Sequence, residues 1–259
     1  MGIFIIIGPS LGAGFFSEPH PLPSARESLR VMTYNIHQGY NTEGKINPWE
    51  ILEPITRVDP HIIALQESDM NRITSTNVDI VRWLAHKLDM YSYFGPGTNH
   101  QIYGVSLLST FPLTNTDVYF LSSIEDQRVL VRGDIEYKGY PLSIYVVHMG
   151  LSEEDRTTQT AQILNILSDN SQDSILLGDF NSTPDSLQMN QFFMYYRDAW
   201  AASGHPADDP SSYTFSSLFP EKHIDYILIP KEWEHRVIRC VILSDIYASD
   251  HLPVWAEIV

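Results

Sequence analysis

Short apolar runs alternate along this chain with stretches whose apolar residues recur at helical spacing, and most of the runs stop at a polar residue. Residues 29–36 read as a buried strand, and 62–65 as a short apolar strand running straight into Gln66-Glu67. Between them, Asn47-Pro48-Trp49-Glu50 offers an N-cap, a proline at the first helical position and an acid at the third. Ile51, Leu52, Ile55 and Val58 then follow at helical spacing. A second helix is predicted to open at Asn77 and to bury Val81, Leu84, Ala85 and Leu88. Strands are predicted over 104–109, 118–121, 129–137 and 141–148, with a hairpin turn at Lys138-Gly139. A third helix opens at Ser152, has Asp155 at its third position and carries Ile163, Leu164, Ile166 and Leu167. Residues 174–178 form a strand ending at Asp179, and 224–229, 237–243 and 252–258 complete the set. No repeat with a period of roughly 20–50 residues is present, which excludes a solenoid or propeller. One feature does recur: an apolar strand ending in acid or amide residues, at Gln66-Glu67 and at Asp179-Phe180-Asn181. It points to two similar β-layers facing each other with helices outside.

Residues 1–28 stand apart. The chain is apolar from Ile3 to Ile7 and uncharged on to Phe16, a stretch shorter than the ~20 residues that span a bilayer. It also lacks the basic start of a secretory signal. Three readings stay open: the end of a membrane span cut by a domain boundary, a weak signal or anchor, or a packed strand. Pro19, Pro21 and Pro23 read as a stiff linker. The expected organisation is therefore an apolar segment and linker over 1–28 and a single catalytic domain over 29–259. Of the 259 residues, 32 are Asp or Glu and 16 Lys or Arg, a net charge of −16 that repels nucleic acid and anionic lipid at long range. With Cys240 alone, neither an intramolecular disulfide nor a cysteine-based zinc cluster can form.

The chemistry gathers where strands end: Asn35, Gln66-Glu67, Tyr103-Gly104, His148, Asp179 with Asn181, Asp225 and Asp250-His251. Taken singly, each has a bland reading as a turn residue, a solvated strand end or a satisfied core histidine. Together they supply carboxylates, amides and imidazoles at the lips of rigid strands, which suits a hard divalent cation and a phosphate ester.

The ordered set Tyr34-Asn35-Ile36, Leu65-Gln66-Glu67-Ser68, Tyr103-Gly104-Val105, Val147-His148, Gly178-Asp179-Phe180-Asn181, Ile224-Asp225-Tyr226 and Ser249-Asp250-His251-Leu252-Pro253 resembles the endonuclease/exonuclease/phosphatase superfamily. The resemblance covers residue 30 onward. It implies a four-layer α/β sandwich of two mostly antiparallel sheets flanked by helices, with the site at one rim. It also implies Mg²⁺ (with Mn²⁺ or Ca²⁺ as alternatives) held by Glu67 with Asn35, and His251 as the catalytic histidine oriented by Asp225. Asp250 is the other partner for His251, or a metal-side ligand. Asp179 would orient or deprotonate the attacking water, and Asn181 would fix the water or the phosphate. His148 would donate to a non-bridging oxygen, helped by Tyr103.

Within the superfamily, His223-Ile224-Asp225-Tyr226 stands where inositol-polyphosphate 5-phosphatases carry a Cys-Asp-Arg type motif, which disfavours that branch. A closer likeness lies in residues 31–40, in Gln66-Glu67-Ser68-Asp69 with Arg72, in 79–82, in 88–96 and in Glu125-Asp126-Gln127-Arg128. These are similar to the C-terminal luminal domain of the multi-spanning proteins that remodel the lipid of GPI anchors. That likeness implies a phosphodiester hydrolase or transferase acting on a phosphoinositol-containing lipid or glycolipid, membrane-associated or luminal; a monomer is the separate expectation. Gln38, Asp69, Arg72 and Arg128 become candidates for holding the headgroup, Arg128 foremost because a guanidinium grips phosphate through two bonds. An Mg²⁺-dependent endonuclease or deoxyribonuclease, a neutral-sphingomyelinase-like phospholipase C, and a binding module that has lost the chemistry are the alternatives.

Overall fold

The computed structural model describes residues 19, 21, 27–69, 79–97, 103–168, 173–206 and 209–259, with the side chain of Asp69 excepted. The apolar stretch near the N-terminus and Arg72 lie outside the described residues, so the three readings of that stretch stay as expectations.

Two six-stranded sheets face each other. The first is built from β1 (Leu29–Asn35), β2 (Ile62–Asp69), β3 (Tyr91–Pro96), β4 (Tyr103–Ser109), β11 (Val237–Ile242) and β12 (Val254–Ile258), in the order β11-β12-β1-β2-β4-β3. The second holds β5 (Thr114–Leu121), β6 (Arg128–Tyr137), β7 (Tyr140–His148), β8 (Ser174–Asp179), β9 (Tyr196–Asp198) and β10 (Asp225–Pro230), in the order β5-β6-β7-β8-β10-β9. Each sheet has one parallel pairing, β1 with β2 and β7 with β8; every other pairing is antiparallel. Both parallel pairs are joined through a helix: α1 (Pro48–Val58) and α3 (Glu153–Leu167).

The alternation of side chains along each strand explains the layering. Val31, Ala64, Val131, Ile144, Val146, Ile175, Leu177 and Ile227 point into the core between the sheets. Their neighbours Met32, Tyr34, Ile63 and Leu65 point outward and pack with Ile51, Ile55, Val81 and Leu84 of α1 and α2 (Ile80–Leu88). On the second sheet Tyr145, Val147, Leu176 and Leu228 do the same with Ile163 and Leu167 of α3 and with Met189 and Phe192 of α4 (Leu187–Phe192). Both faces of the central strands are thus buried, which is why they read as continuous apolar runs.

Caps follow the sequence signals closely. Asn47 accepts from Trp49 N at the start of α1, and Ser152 accepts from Asp155 N at the start of α3. The second helix departs from expectation: it begins at Ile80 under an Asp79 cap that accepts from Arg82 N, and Asn77 lies outside the described residues. Four elements are unforeseen by the sequence pattern: β3, β9 and the short helices α4 and α5 (Ala199–Ala202) on either side of β9. The strand β5 is four residues longer than its apolar core, and β12 begins two residues later than expected.

Candidate active site

The site is built where the C-terminal ends of β1, β2, β7 and β8 meet the N-terminal ends of β4 and β10. All the polar strand ends singled out by the sequence therefore lie at one end of the sandwich.

Glu67 reaches the cleft through a backbone irregularity. The pairing of β2 with β4 shifts register between Leu65 and Ser68, and Glu67 takes φ +49°, a left-handed conformation that glutamate adopts only at a cost. Without that irregularity, strict alternation would not turn Glu67 toward the facing sheet. Asn35, at the end of β1, ties the two halves together. Its Nδ2 donates to Glu67 Oε1 at 3.3 Å and to Asp179 Oδ2 at 3.1 Å, and it lies 3.4 Å from His251 Nε2. Its side-chain carbonyl oxygen accepts from His37 N. Gln38 Nε2 donates to the other Glu67 oxygen at 3.4 Å.

On the second sheet, Phe180 is the anchor of Asp179-Phe180-Asn181. Its ring packs edge-on against Phe192 and Tyr226 in the outer core, so the residues on either side turn the opposite way, into the cleft. Asn181 holds φ +48°, donates its backbone N–H to Asp179 Oδ1 at 2.9 Å and gives its side-chain N–H to Met149 O. Asparagine is one of the few residues that accept that conformation cheaply.

The two histidines differ in charge state, and their neighbours explain it. His251 Nδ1 sits 2.9 Å from Asp225 Oδ2. Burial works against a charged ring, but the Asp225 carboxylate, then Asp179, outweigh it and raise His251 to about 10. Phe215 packs against this ring, and Ser249 ties its loop to β1 by donating to Asn35 O and accepting from His251 N. His148 has Arg128 Nη1 2.9 Å from its Nδ1. A guanidinium can only donate, so His148 Nδ1 must accept and its proton must sit on Nε2. Burial, then the charges of Arg128 and His251, push His148 well below the ordinary histidine value, so it stays neutral. The result is one neutral and one cationic imidazole, each with Nε2 toward the same carboxylate oxygen. Asp179 Oδ2 is 3.5 Å from His148 Nε2 and 3.7 Å from His251 Nε2. Burial, then the nearby Asp225 charge, raise Asp179 to about 7, despite the opposing pull of His251 and the Asn181 and Asn35 hydrogen bonds.

These groups open into a cleft of about 650 Å³ whose lining includes Glu67, Tyr103, Arg128, His148, Asp179, Asn181, Asp250 and His251. Tyr103 is held neutral first by burial and next by the Glu67 charge, and it hydrogen-bonds Arg128. Asp250 stands at the cleft rim, 3.7 Å from His37 Nδ1, with its main-chain oxygen accepting from Ser217 N. Asp69 contributes backbone to β2. Arg128 is buried against His148 rather than extended to solvent. The cleft also takes in Asp126, from the likeness over 125–128, and Arg156, Phe215 and Lys222, which the sequence pattern does not mark. Lys222 directly precedes the His223-Ile224-Asp225 stretch, and Arg156 lies in the first turn of α3, but neither position carries a signal that separates it from surface charge.

The donor set fits a divalent cation. Asp179 and Asp225 lie within 4.8 Å of each other and of the His251 ring, which in its cationic form is no ligand, and Asp225 Oδ1 is buried with no hydrogen-bond partner among the described residues. Glu67 and Asp179, bridged by the Asn35 amide, supply hard oxygens beside this group.

A sandwich of two six-stranded sheets with this cluster at its rim defines the chain as an endonuclease/exonuclease/phosphatase-type hydrolase fold. The backbone superposes on the endonuclease/exonuclease/phosphatase of Beutenbergia cavernae with a TM-score of 0.74, at 21% identity over 90% of this chain and 71% of that one. The human Nocturnin catalytic domain with bound sulfate anion gives 0.73 at 24% identity, over 90% of this chain and 95% of that one. Residues 26–202 match the family described as PGAP2IP, C-terminal nuclease-like domain, and the chain belongs to that family. Protein cwh43 of Schizosaccharomyces pombe is 26% identical over 148 residues, which make up 56% of this chain and 15% of the curated relative. Among the described residues no helix is long and apolar enough to cross a membrane.

Proposed function

We propose that this domain is an Mg²⁺-dependent phosphodiester hydrolase, or transferase, acting on the headgroup of a phosphoinositol-containing lipid at a membrane surface. The observation that carries the chemistry is the convergence of His148 Nε2, His251 Nε2 and Asn35 Nδ2 on Asp179 Oδ2. The two imidazole distances are longer than a good hydrogen bond, so both rings are poised for an oxygen that enters between them. In this reading Asp179, with its proton affinity near neutrality, takes the proton of the attacking water, and Asn181 fixes the loop that aims it. Neutral His148 donates to a non-bridging oxygen, and the Arg128 bond holds it in the tautomer that can do so. His251, kept cationic by Asp225, faces the phosphate as charge builds. Glu67 and Asn35 would hold the cation through their side-chain oxygens, with Asp250 a further ligand from the cleft rim and Tyr103 beside them. A bound divalent cation would polarise a phosphoryl oxygen and neutralise charge on the leaving group.

Support for the lipid headgroup comes from the sequence likeness to the GPI-anchor-remodelling domains and from the charge of −16, which disfavours a long polyanion. Arg128 lines the cleft where a polyol would hydrogen-bond, Gln38 sits behind it on Glu67, and Arg72 belongs to the same set of candidates from the sequence. The test is one assay with Mg²⁺ on plasmid DNA, sphingomyelin and phosphatidylinositol, with Glu67→Ala and His251→Ala alongside. Release of an inositol phosphate that both substitutions abolish is the expected result. DNA nicking that both abolish would replace the lipid reading with a nuclease.

A further inference from the structure

Four loops leave the second sheet at the cleft end: residues 122–127 between β5 and β6, 149–152 between β7 and α3, 180–186 between β8 and α4, and 213–224 before β10. Each puts a large apolar side chain into solvent at its tip or its edge. Ile124, Leu151, Leu187, Leu218 and Phe219 are all more than half exposed, and Phe219 is 81% exposed. Single exposed apolar residues are ordinary, but four consecutive loops around one mouth are a ring.

The loop with Leu218 and Phe219 is the most built of the four. Phe215 and Lys222 pair across its base, Phe215 N to Lys222 O at 3.1 Å and Lys222 N to Phe215 O at 2.9 Å, and both residues line the cleft. The tip is therefore held out beyond the site by paired backbone. Leu151 is set in the same way, its carbonyl accepting from Arg156 Nη1. Each of these two apolar tips thus has a cation on its cleft side, Lys222 and Arg156. That order, apolar group outermost and positive charge behind it, matches a bilayer surface in which the phosphates lie on the water side of the acyl chains.

We infer that this apolar ring seats the cleft on a zwitterionic lipid surface by inserting Leu218 and Phe219 into the interface. The inference rests on the phosphoinositol-lipid reading and names the surface from which that substrate is taken. Charge selects the kind of surface. Glu125, Glu153, Glu154 and Glu221 stand beside the apolar tips, all exposed, and would repel an anionic membrane. Binding should then depend on apolar burial and little on salt.

The test uses Phe219→Cys labelled with a polarity-sensitive fluorophore. Cys240, the other cysteine, is buried and will not compete. Tyr140→Cys, on the β6–β7 hairpin at the opposite end of the sheet, is the control. With phosphatidylcholine vesicles the label at 219 should shift to the blue, at 0.1 M and at 0.5 M salt alike, while the label at 140 does not move. The Leu218→Ser/Phe219→Ser double variant should hydrolyse phosphatidylinositol carried as a minor component of phosphatidylcholine vesicles roughly tenfold or more slowly, since each withdrawn side chain removes the burial of a large apolar group. It should keep wild-type rates on soluble bis(p-nitrophenyl) phosphate.

No shift at 219, an equal shift at both positions, or a shift that rises with protein concentration without vesicles would overturn the inference; the last would make the ring a contact between copies. If the wild type cleaves no phosphodiester at all, the proposed function fails while the label still decides the surface. If it cleaves the soluble substrate and the label stays silent, the surface inference fails alone.

Discussion

A buried arginine beside a buried histidine is electrostatically costly, and the pairing of Arg128 with His148 pays that cost for a single protonation state. Arg128 is the leading sequence candidate for gripping phosphate directly, because exposed guanidinium and phosphate are natural partners. The structure instead turns it onto His148 Nδ1, leaving Nε2–H for the cleft. Seven of the strand-end residues (Asn35, Glu67, His148, Asp179, Asn181, Asp225 and His251) are legible because each adjoins an apolar run that fixes where it must emerge. Arg156, Lys222 and Phe215 are not, since such residues reach a cleft through tertiary placement that no local pattern records. If His148 stabilises charge in the transition state, His148→Ala should lower kcat by about 10²–10³-fold with KM little changed. Steady-state rates on a soluble phosphodiester measure this, and a loss under about threefold would remove His148 from the chemistry. The pH profile tests Asp179. Its carboxyl is raised to about 7, so kcat/KM should climb as pH rises through that value and the base becomes available. A cation beside it favours the carboxylate, so this limb should move to lower pH as Mg²⁺ is increased. At the other end His251, raised to about 10, should lose its charge and the rate should fall.

At the level of elements, the central strands are readable and the edges are not. Strands such as β7 and β8 are covered on both faces, so nearly every residue is buried and their interiors read as apolar runs. Strand β3 pairs on one side only and ends in Gly95-Pro96, a dipeptide that reads as a turn, and the first half of β5 is Thr114-Asn115-Thr116-Asp117, polar because it lies at the open edge. Two substitutions probe how elements aim the site. Gly104→Ala would put a Cβ 2.0 Å from Gly95 O across β3 and β4, so something in the backbone must yield. Overpacking of this kind costs roughly 1–3 kcal/mol, and thermal unfolding should register a Tm lower by about 3–10 °C. Glu67→Gly should act the other way. It relieves a left-handed glutamate and removes a carboxylate from a crowded acidic cluster, so Tm should rise by a few degrees while activity disappears. A fall in Tm would mean that the irregularity in β2 carries no strain worth relieving.

For the molecule as a whole, the arrangement that matters is the repetition of one unit. A strand, a helix and a parallel strand form β1–α1–β2 in one sheet and β7–α3–β8 in the other, and the two units bring their C-terminal ends to the same rim. The sequence discloses this as two apolar strands ending in acid and amide residues, and the facing layers follow from the alternation of buried residues along both sheets. The rim itself stays illegible, because loops from four places in the chain compose it. The acidic charge, which by itself indicates only repulsion of nucleic acid and anionic lipid, is partly gathered at this rim in Glu67, Asp179, Asp225 and Asp250. The proposed function depends on that cluster being a cation-assisted phosphodiesterase centre. The most direct measurement is inositol phosphate release from phosphatidylinositol by the wild type after chelation and after Mg²⁺ is restored, beside Glu67→Ala and His251→Ala. Release that stops on chelation, returns with Mg²⁺ and falls about 10³-fold or more in both variants is the predicted result. Release that ignores the chelator, or that either variant retains to within about threefold, would contradict it.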